Sequence, residues 1–258
     1  MLIFFLAVVG IHWYVMGTLM TGESPELSLR VRRRLPQSFL GRMFLTWFNP
    51  GPGTGYVLSL CGMLGGLALA CIAIVARQFM VAGATAPRTV APEVVLAFGA
   101  VEFCYLTIFL GLGLLLVRLA RRVAPTAPTL SVLLQVMLLL LACGVPLVIQ
   151  MSSSQWYNSG YTFLQITNVF WTLSELAGTG TGWAFTPVVL LVLSPAALLV
   201  FVLNLRGIGR EVRLVRAAKP WRVAEEDARQ AAIRHPPQPV QISPWDVQLP
   251  TNNPRERT

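Results

Sequence analysis

A chain of 258 residues would make one or two domains if it were soluble, but 55% of these residues are hydrophobic, 12% are charged, and the mean hydropathy is +0.63. A soluble domain carries about 25% charged residues, so half of the usual solvating charge is missing and a water-soluble globule is excluded. The net charge of +9 does not redirect the reading to nucleic acid, because the arginines flank apolar runs, where anionic lipid headgroups account for them.

The apolar residues come in unbroken blocks, and a membrane-crossing helix needs about 20 of them. In lipid each backbone donor and acceptor must be satisfied locally, so these blocks are helices. The first covers 2–20 and lacks both a basic leader and a small-residue cleavage site, so it reads as a span and not as a signal peptide. A helix that opens a chain from the outer side is unusual. An upstream helix, lost by truncation or a misplaced start, is therefore expected.

Next come Arg30, Arg32, Arg33 and Arg34, then a segment over 36–48 in which Phe39, Leu40, Met43, Phe44, Trp47 and Phe48 recur at helical spacing. Gln37, Ser38, Gly41, Arg42 and Thr46 fall mostly on the other face, Pro36 suits a first turn, and Asn49-Pro50-Gly51 ends the pattern. This predicts an amphipathic helix on the cytoplasmic membrane surface. It serves either as an interfacial anchor or as a docking element for a cytoplasmic partner, with Phe39, Arg42, Met43, Phe44 and Trp47 as the docking residues. The glycine-rich run Gly51-Pro52-Gly53-Thr54-Gly55 lacks the Gly-Lys-Ser/Thr of a phosphate loop, and the only lysine is Lys219. It and the run 178–182 are read as flexible turns, with no nucleotide site.

The second span covers 56–80 and holds Gly62 and Gly66 as a GxxxG pair beside Gly65. Small residues let helix backbones approach closely, which predicts tight packing and leaves a homo- or hetero-dimer open. The third span, 93–117, contains Glu102, the one ionisable group well inside a span. An intramembrane carboxyl is costly and points to function by default. Gln135, in the fourth span at 130–150, is its candidate hydrogen-bond partner. The two make either a structural interhelical bond or part of a substrate or proton path.

Segment 161–177 is apolar but interrupted by Gln165, Asn168 and Glu175. A crossing there would send the arginine-rich tail outside, so it is expected to lie in the outer interface or to dip in and return. The last span covers 184–205, followed by a basic juxtamembrane segment over 206–234. The proline-rich tail, 235–258, is expected to be disordered. Trp13, Tyr14, Trp47, Tyr56, Trp156, Tyr157 and Trp183 mostly sit near span ends and are read as interfacial anchors.

With these five spans, 18 of the 20 basic residues fall on one side and only Arg77 and Arg88 on the other. The expected fold is an all-α polytopic bundle in the cell membrane, with the N-terminus outside and the C-terminus in the cytoplasm. Cys61, Cys71, Cys104 and Cys143 lie inside apolar spans without a CxxC pair, which points to neither a disulfide framework nor a metal site. Two histidines, no HExxH and no GxSxG leave no familiar enzyme class and no cofactor.

The order of the parts resembles the permease subunits of type-2 ABC exporters. Those have six spans, an amphipathic coupling helix after the second, and short re-entrant helices before the last. The five spans here would match the last five of that family, with Phe39 to Phe48 at the coupling helix and 161–177 at the re-entrant element. The likeness covers most of residues 1–205 and is architectural. The first helix is absent, the coupling region is longer and richer in proline and glycine, and the basic tail is an addition. The resemblance implies a separate cytoplasmic ATPase docking on Phe44, Trp47 and Arg42, since this chain must borrow its nucleotide site. Two other readings stay open: a non-catalytic membrane scaffold or assembly protein, and a proton-coupled transporter using Glu102.

Overall fold

The structure is a computed structural model that describes residues 1–23, 36, 38, 40–41, 51–81, 91–123, 128–152, 161–178, 182–217, 224–226 and 228–230. The described residues form α1 (Leu2–Thr21), α2 (Pro52–Val81), α3 (Pro92–Val123), α4 (Pro128–Ser152), a 3₁₀ turn (Phe163–Thr167), α5 (Val169–Ala177) and α6 (Gly182–Ala217), with no strand among them. α1, α2, α3, α4 and α6 are each long and apolar enough to cross a membrane. Large apolar side chains such as Ile72, Leu140, Val148 and Leu191 stand 59–74% exposed on their outer faces, where lipid solvates them. The protein is a multi-pass membrane protein.

α3 is the axis of the bundle. Its apolar stretch is 67% buried, against 11–28% in the other four long helices, and it packs on α1, α2, α4, α5 and α6. Glycines set the distances and reveal the directions. On α2, Gly55, Gly62 and Gly66 share one face and lie against Met20, Trp13 and Val9 of α1, in that descending order, so the two helices are antiparallel. The GxxxG pair is thus occupied within the chain by α1. α1 and α3 run parallel, since Gly10 faces Glu102 and Gly17 faces Leu110. α3 and α6 are also parallel, with Gly111 against Val200 and Gly207 against Arg118.

α6 buries Val189, Leu193, Ala197, Val200, Asn204, Ile208 and Glu211, a repeat of three and four residues that keeps one stripe on its neighbours. It continues from the last span into the basic segment as far as Ala217, where Asn204 and Glu211 carry the stripe on with polar groups that find partners. α3 likewise continues through its arginines to Val123.

Two expectations are corrected. Tyr56 is no interfacial anchor: it is fully buried, and its hydroxyl donates to the Thr107 carbonyl at 3.1 Å. The turn at Gly51 to Gly55 is not loose either. Residues 51–56 are buried and from Pro52 form the first turn of α2, where proline is preorganised for a helix start. The amphipathic helix over 36–48 lies outside the described residues except for Pro36, Ser38, Leu40 and Gly41. Of these, Leu40 and Gly41 are helical and the Gly41 amide donates to Ser38 Oγ at 3.1 Å. Phe39, Arg42, Met43, Phe44 and Trp47 are not described.

Candidate functional site

The described part of the segment between α4 and α6, residues 161–178, is tied to α4 where that helix lacks a hydrogen-bond donor. Pro146 lies inside α4 and carries no N–H, so the Ala142 carbonyl one turn earlier loses its partner in the helix ladder. Thr167 Oγ1 donates to that carbonyl at 3.1 Å, and Asn168 Nδ2 to the neighbouring Cys143 carbonyl at 3.4 Å. Non-helical backbone packed among apolar helices is tolerated only where protein satisfies it, and here the satisfaction is mutual. Asn168 Oδ1 also accepts from the Trp171 amide at 3.1 Å, capping α5. Thr172 Oγ1 donates to the Gln165 carbonyl at 3.1 Å, and the Tyr105 hydroxyl of α3 donates to the Ile166 carbonyl.

The 3₁₀ turn and α5 therefore make a hairpin whose tip lies beside Cys143, about nine residues or roughly 13 Å in from the end of α4 by the helical rise. Its other end returns to the start of α6, where the Tyr161 ring lies 6.0 Å from Phe185. With nine residues, α5 is too short to span.

This hairpin walls a cavity of about 680 Å³ shared with α1 and α3. The size suits a small molecule. α1 and α5 scarcely touch, which leaves the cavity open at the side, between the exposed rings of Phe4 and Phe170. The lining is almost wholly apolar and rich in aromatic rings, with Glu102 on its α3 wall. Glu102 is 6% exposed, and its Oε2 has no hydrogen-bond partner among the described residues. The carboxyl fits because position 10 on α1 is glycine: a Cβ there would stand 1.9 Å from Glu102 Oε1.

The expected Glu102–Gln135 bond is not made. Gln135 packs against Gly113, eleven residues and roughly 16 Å along α3 from Glu102. α4 runs antiparallel to α3, so a residue early in α4 meets the far end of α3. Both side-chain polar atoms of Gln135 are buried without a partner among the described residues, and its carbonyl accepts from Tyr14 at 3.4 Å.

A second polar cluster sits at the other end of the bundle, where Asn204 and Glu211, two residues that motif reading passed over, meet Arg118 and Gly53. Glu211 Oε2 accepts from the Gly53 amide at 2.6 Å, and Oε1 lies 3.5 Å from Arg118 Nη2. Arg118 Nη1 donates to Asn204 Oδ1 at 3.0 Å, while Asn204 Nδ2 donates to the Gly111 and Val200 carbonyls at 3.1 and 2.9 Å. Arg121 Nη2 donates to the carbonyls of Gly22 and Glu23 at 2.9 and 2.8 Å, just past the end of α1. A carboxylate thus meets the positive end of α2 and a guanidinium the negative end of α1. The glycine-rich turn does hold an anion, and the anion is the chain's own Glu211. The signal available in sequence was the seven-residue spacing of Asn204 and Glu211, which shares one face of α6.

Comparison of the chain with protein-family models, characterised proteins and solved structures finds no match.

Proposed function

We propose that this chain is the membrane-spanning permease subunit of an ABC-type exporter in the cell membrane, driven by a separate cytoplasmic ATPase. The observation that carries this reading is the hairpin of Phe163–Thr167 and Val169–Ala177, turned back on α4 beside Cys143 and walling a side-opening cavity. Interrupted helices with backbone groups released from the ladder are a recurrent device of substrate sites in transporters.

The order of parts supports the same reading, with five long helices and the hairpin between the fourth and the fifth. In this proposal the N-terminus is outside, and the end bearing Arg118, Arg121 and Glu211 faces the cytoplasm, as the arginine distribution requires. The ATPase docks on the amphipathic segment 36–48. The ends of the connection that contains it are held by the two charged caps, Arg121 on α1 and Glu211 on α2. Movement of the segment would be transmitted through those caps to α3 and α6.

The test is co-purification of the full chain with a nucleotide-binding subunit from its native membrane. Trp47→Ala and Phe44→Ala should each lower the yield of the complex, while Ile72→Ala on the exposed face of α2 should not. Equal yields from all three variants would remove the docking assignment. The topology has its own check: tags at the two ends should report opposite compartments.

The proton-coupled reading is favoured by one observation, the unpartnered Glu102 carboxyl in the cavity wall. It requires that Glu102→Gln abolish uptake driven by a pH gradient in vesicles.

A further inference from the structure

We infer that the cavity between α1, α3 and α5 is a binding site for a lipophilic organic cation, which sets its charge against Glu102 and its apolar body among the surrounding rings. The lining places six aromatic rings around one carboxyl: Phe4, Tyr14, Phe98, Tyr105, Phe109 and Phe170. Aromatic faces attract cations, and most strongly when the pair is removed from water. A lone carboxylate in such surroundings is costly and is met either by a proton or by a counter-charge; no basic side chain lines the cavity, so the counter-charge must come from a ligand.

Other ligand classes fit less well. An anion would meet the carboxylate without compensation. A pure hydrocarbon would bury the Glu102 oxygens against carbon, the arrangement that polar groups avoid. The hydroxyls of Tyr14 and Tyr105 are already engaged with the carbonyls of Gln135 and Ile166, which leaves Glu102 as the group that selects. The side opening between Phe4 and Phe170 lets the ligand enter from the bilayer, where lipophilic cations concentrate. Volume agrees as well: about 680 Å³ admits a drug-sized molecule and little more.

Two ions of the same shape and opposite charge make the test, tetraphenylphosphonium and tetraphenylborate. The purified full chain in lipid nanodiscs should bind the phosphonium, and by about tenfold or more over the borate. Glu102→Gln should erase that preference, and Leu173→Trp, which fills the cavity from α5, should abolish binding of both ions. A second readout uses the unmutated protein and so does not depend on a variant folding. Modification of Glu102 by dicyclohexylcarbodiimide, followed by mass spectrometry, should slow in saturating phosphonium and not in borate. Equal binding of the two ions, or phosphonium affinity unchanged in Glu102→Gln, overturns the inference in favour of an acyl chain. Absence of binding, with labelling untouched by either ion, overturns it in favour of a second copy of the chain covering the cavity. The site does not depend on the ATPase: co-purification reads the segment 36–48, so either proposal can fail while the other stands.

Discussion

Replacing Thr167 by valine keeps the shape of the side chain and deletes one hydrogen-bond donor. The Ala142 carbonyl, which Pro146 has already released from the α4 ladder, then loses the hydroxyl that reaches it at 3.1 Å. Interhelical bonds of this kind contribute about 0.6–2 kcal/mol in membranes. Stranding that carbonyl on the lipid-facing side, away from water, raises the loss toward about 1–3 kcal/mol, so Thr167→Val should cost about 1–2 kcal/mol. Pro146→Ala restores an N–H one turn below Ala142 and lets the helix satisfy that carbonyl itself. In that background Thr167→Val should cost no more than about 0.5 kcal/mol, because only a second bond to an already paired acceptor is lost. The coupling between the two sites is therefore about 1 kcal/mol. Reversible unfolding of the four proteins in mixed micelles, followed by tryptophan fluorescence, measures it as a double-mutant cycle. A Thr167→Val cost that is the same in both backgrounds, within a few tenths of a kcal/mol, would refute the idea that the proline-released carbonyl holds the hairpin.

Gly62→Ala should destabilise the chain by about 1–3 kcal/mol in the same assay, because the new Cβ would stand 2.0 Å from the rigid indole of Trp13. Gly10→Ala should cost less, since the crowded atom is the movable end of Glu102; the ratio of the two losses is the measurement. Glu211→Ala should cost about 1–2 kcal/mol by uncapping α2, and Glu211→Gln less, because an oxygen remains for the Gly53 amide. Thermal unfolding of the two variants side by side checks that order. Asn168→Ala should selectively raise proteolysis or hydrogen exchange over Val169–Ala177, with the long helices unaffected, because it removes the cap of α5 and its tie to Cys143.

The five long helices were legible before any coordinates, since block length and charge poverty are one-dimensional properties. The polar interruption of 161–177 by Gln165, Asn168 and Glu175 was visible too, whereas its division into a 3₁₀ turn and a nine-residue helix was not. Gln165 is fully buried, and Asn168 caps α5. Glu102 stood out for the same reason, as one carboxyl in an apolar run. Its surroundings were not. Pairing it with Gln135 used adjacency of spans, whereas the register of antiparallel helices carries Gln135 to Gly113 instead.

What the sequence by itself determined is which segments lipid can dissolve and which side the arginines prefer, because transfer from water to hydrocarbon is a sum over residues taken in order. What only the tertiary structure decided is which groups meet: Gly53 with Glu211, the Ala142 carbonyl orphaned by Pro146 with Thr167, Glu102 with a cavity. The two hydrogen bonds join residues 158 and 25 positions apart along the chain, and helix register and rotation set them.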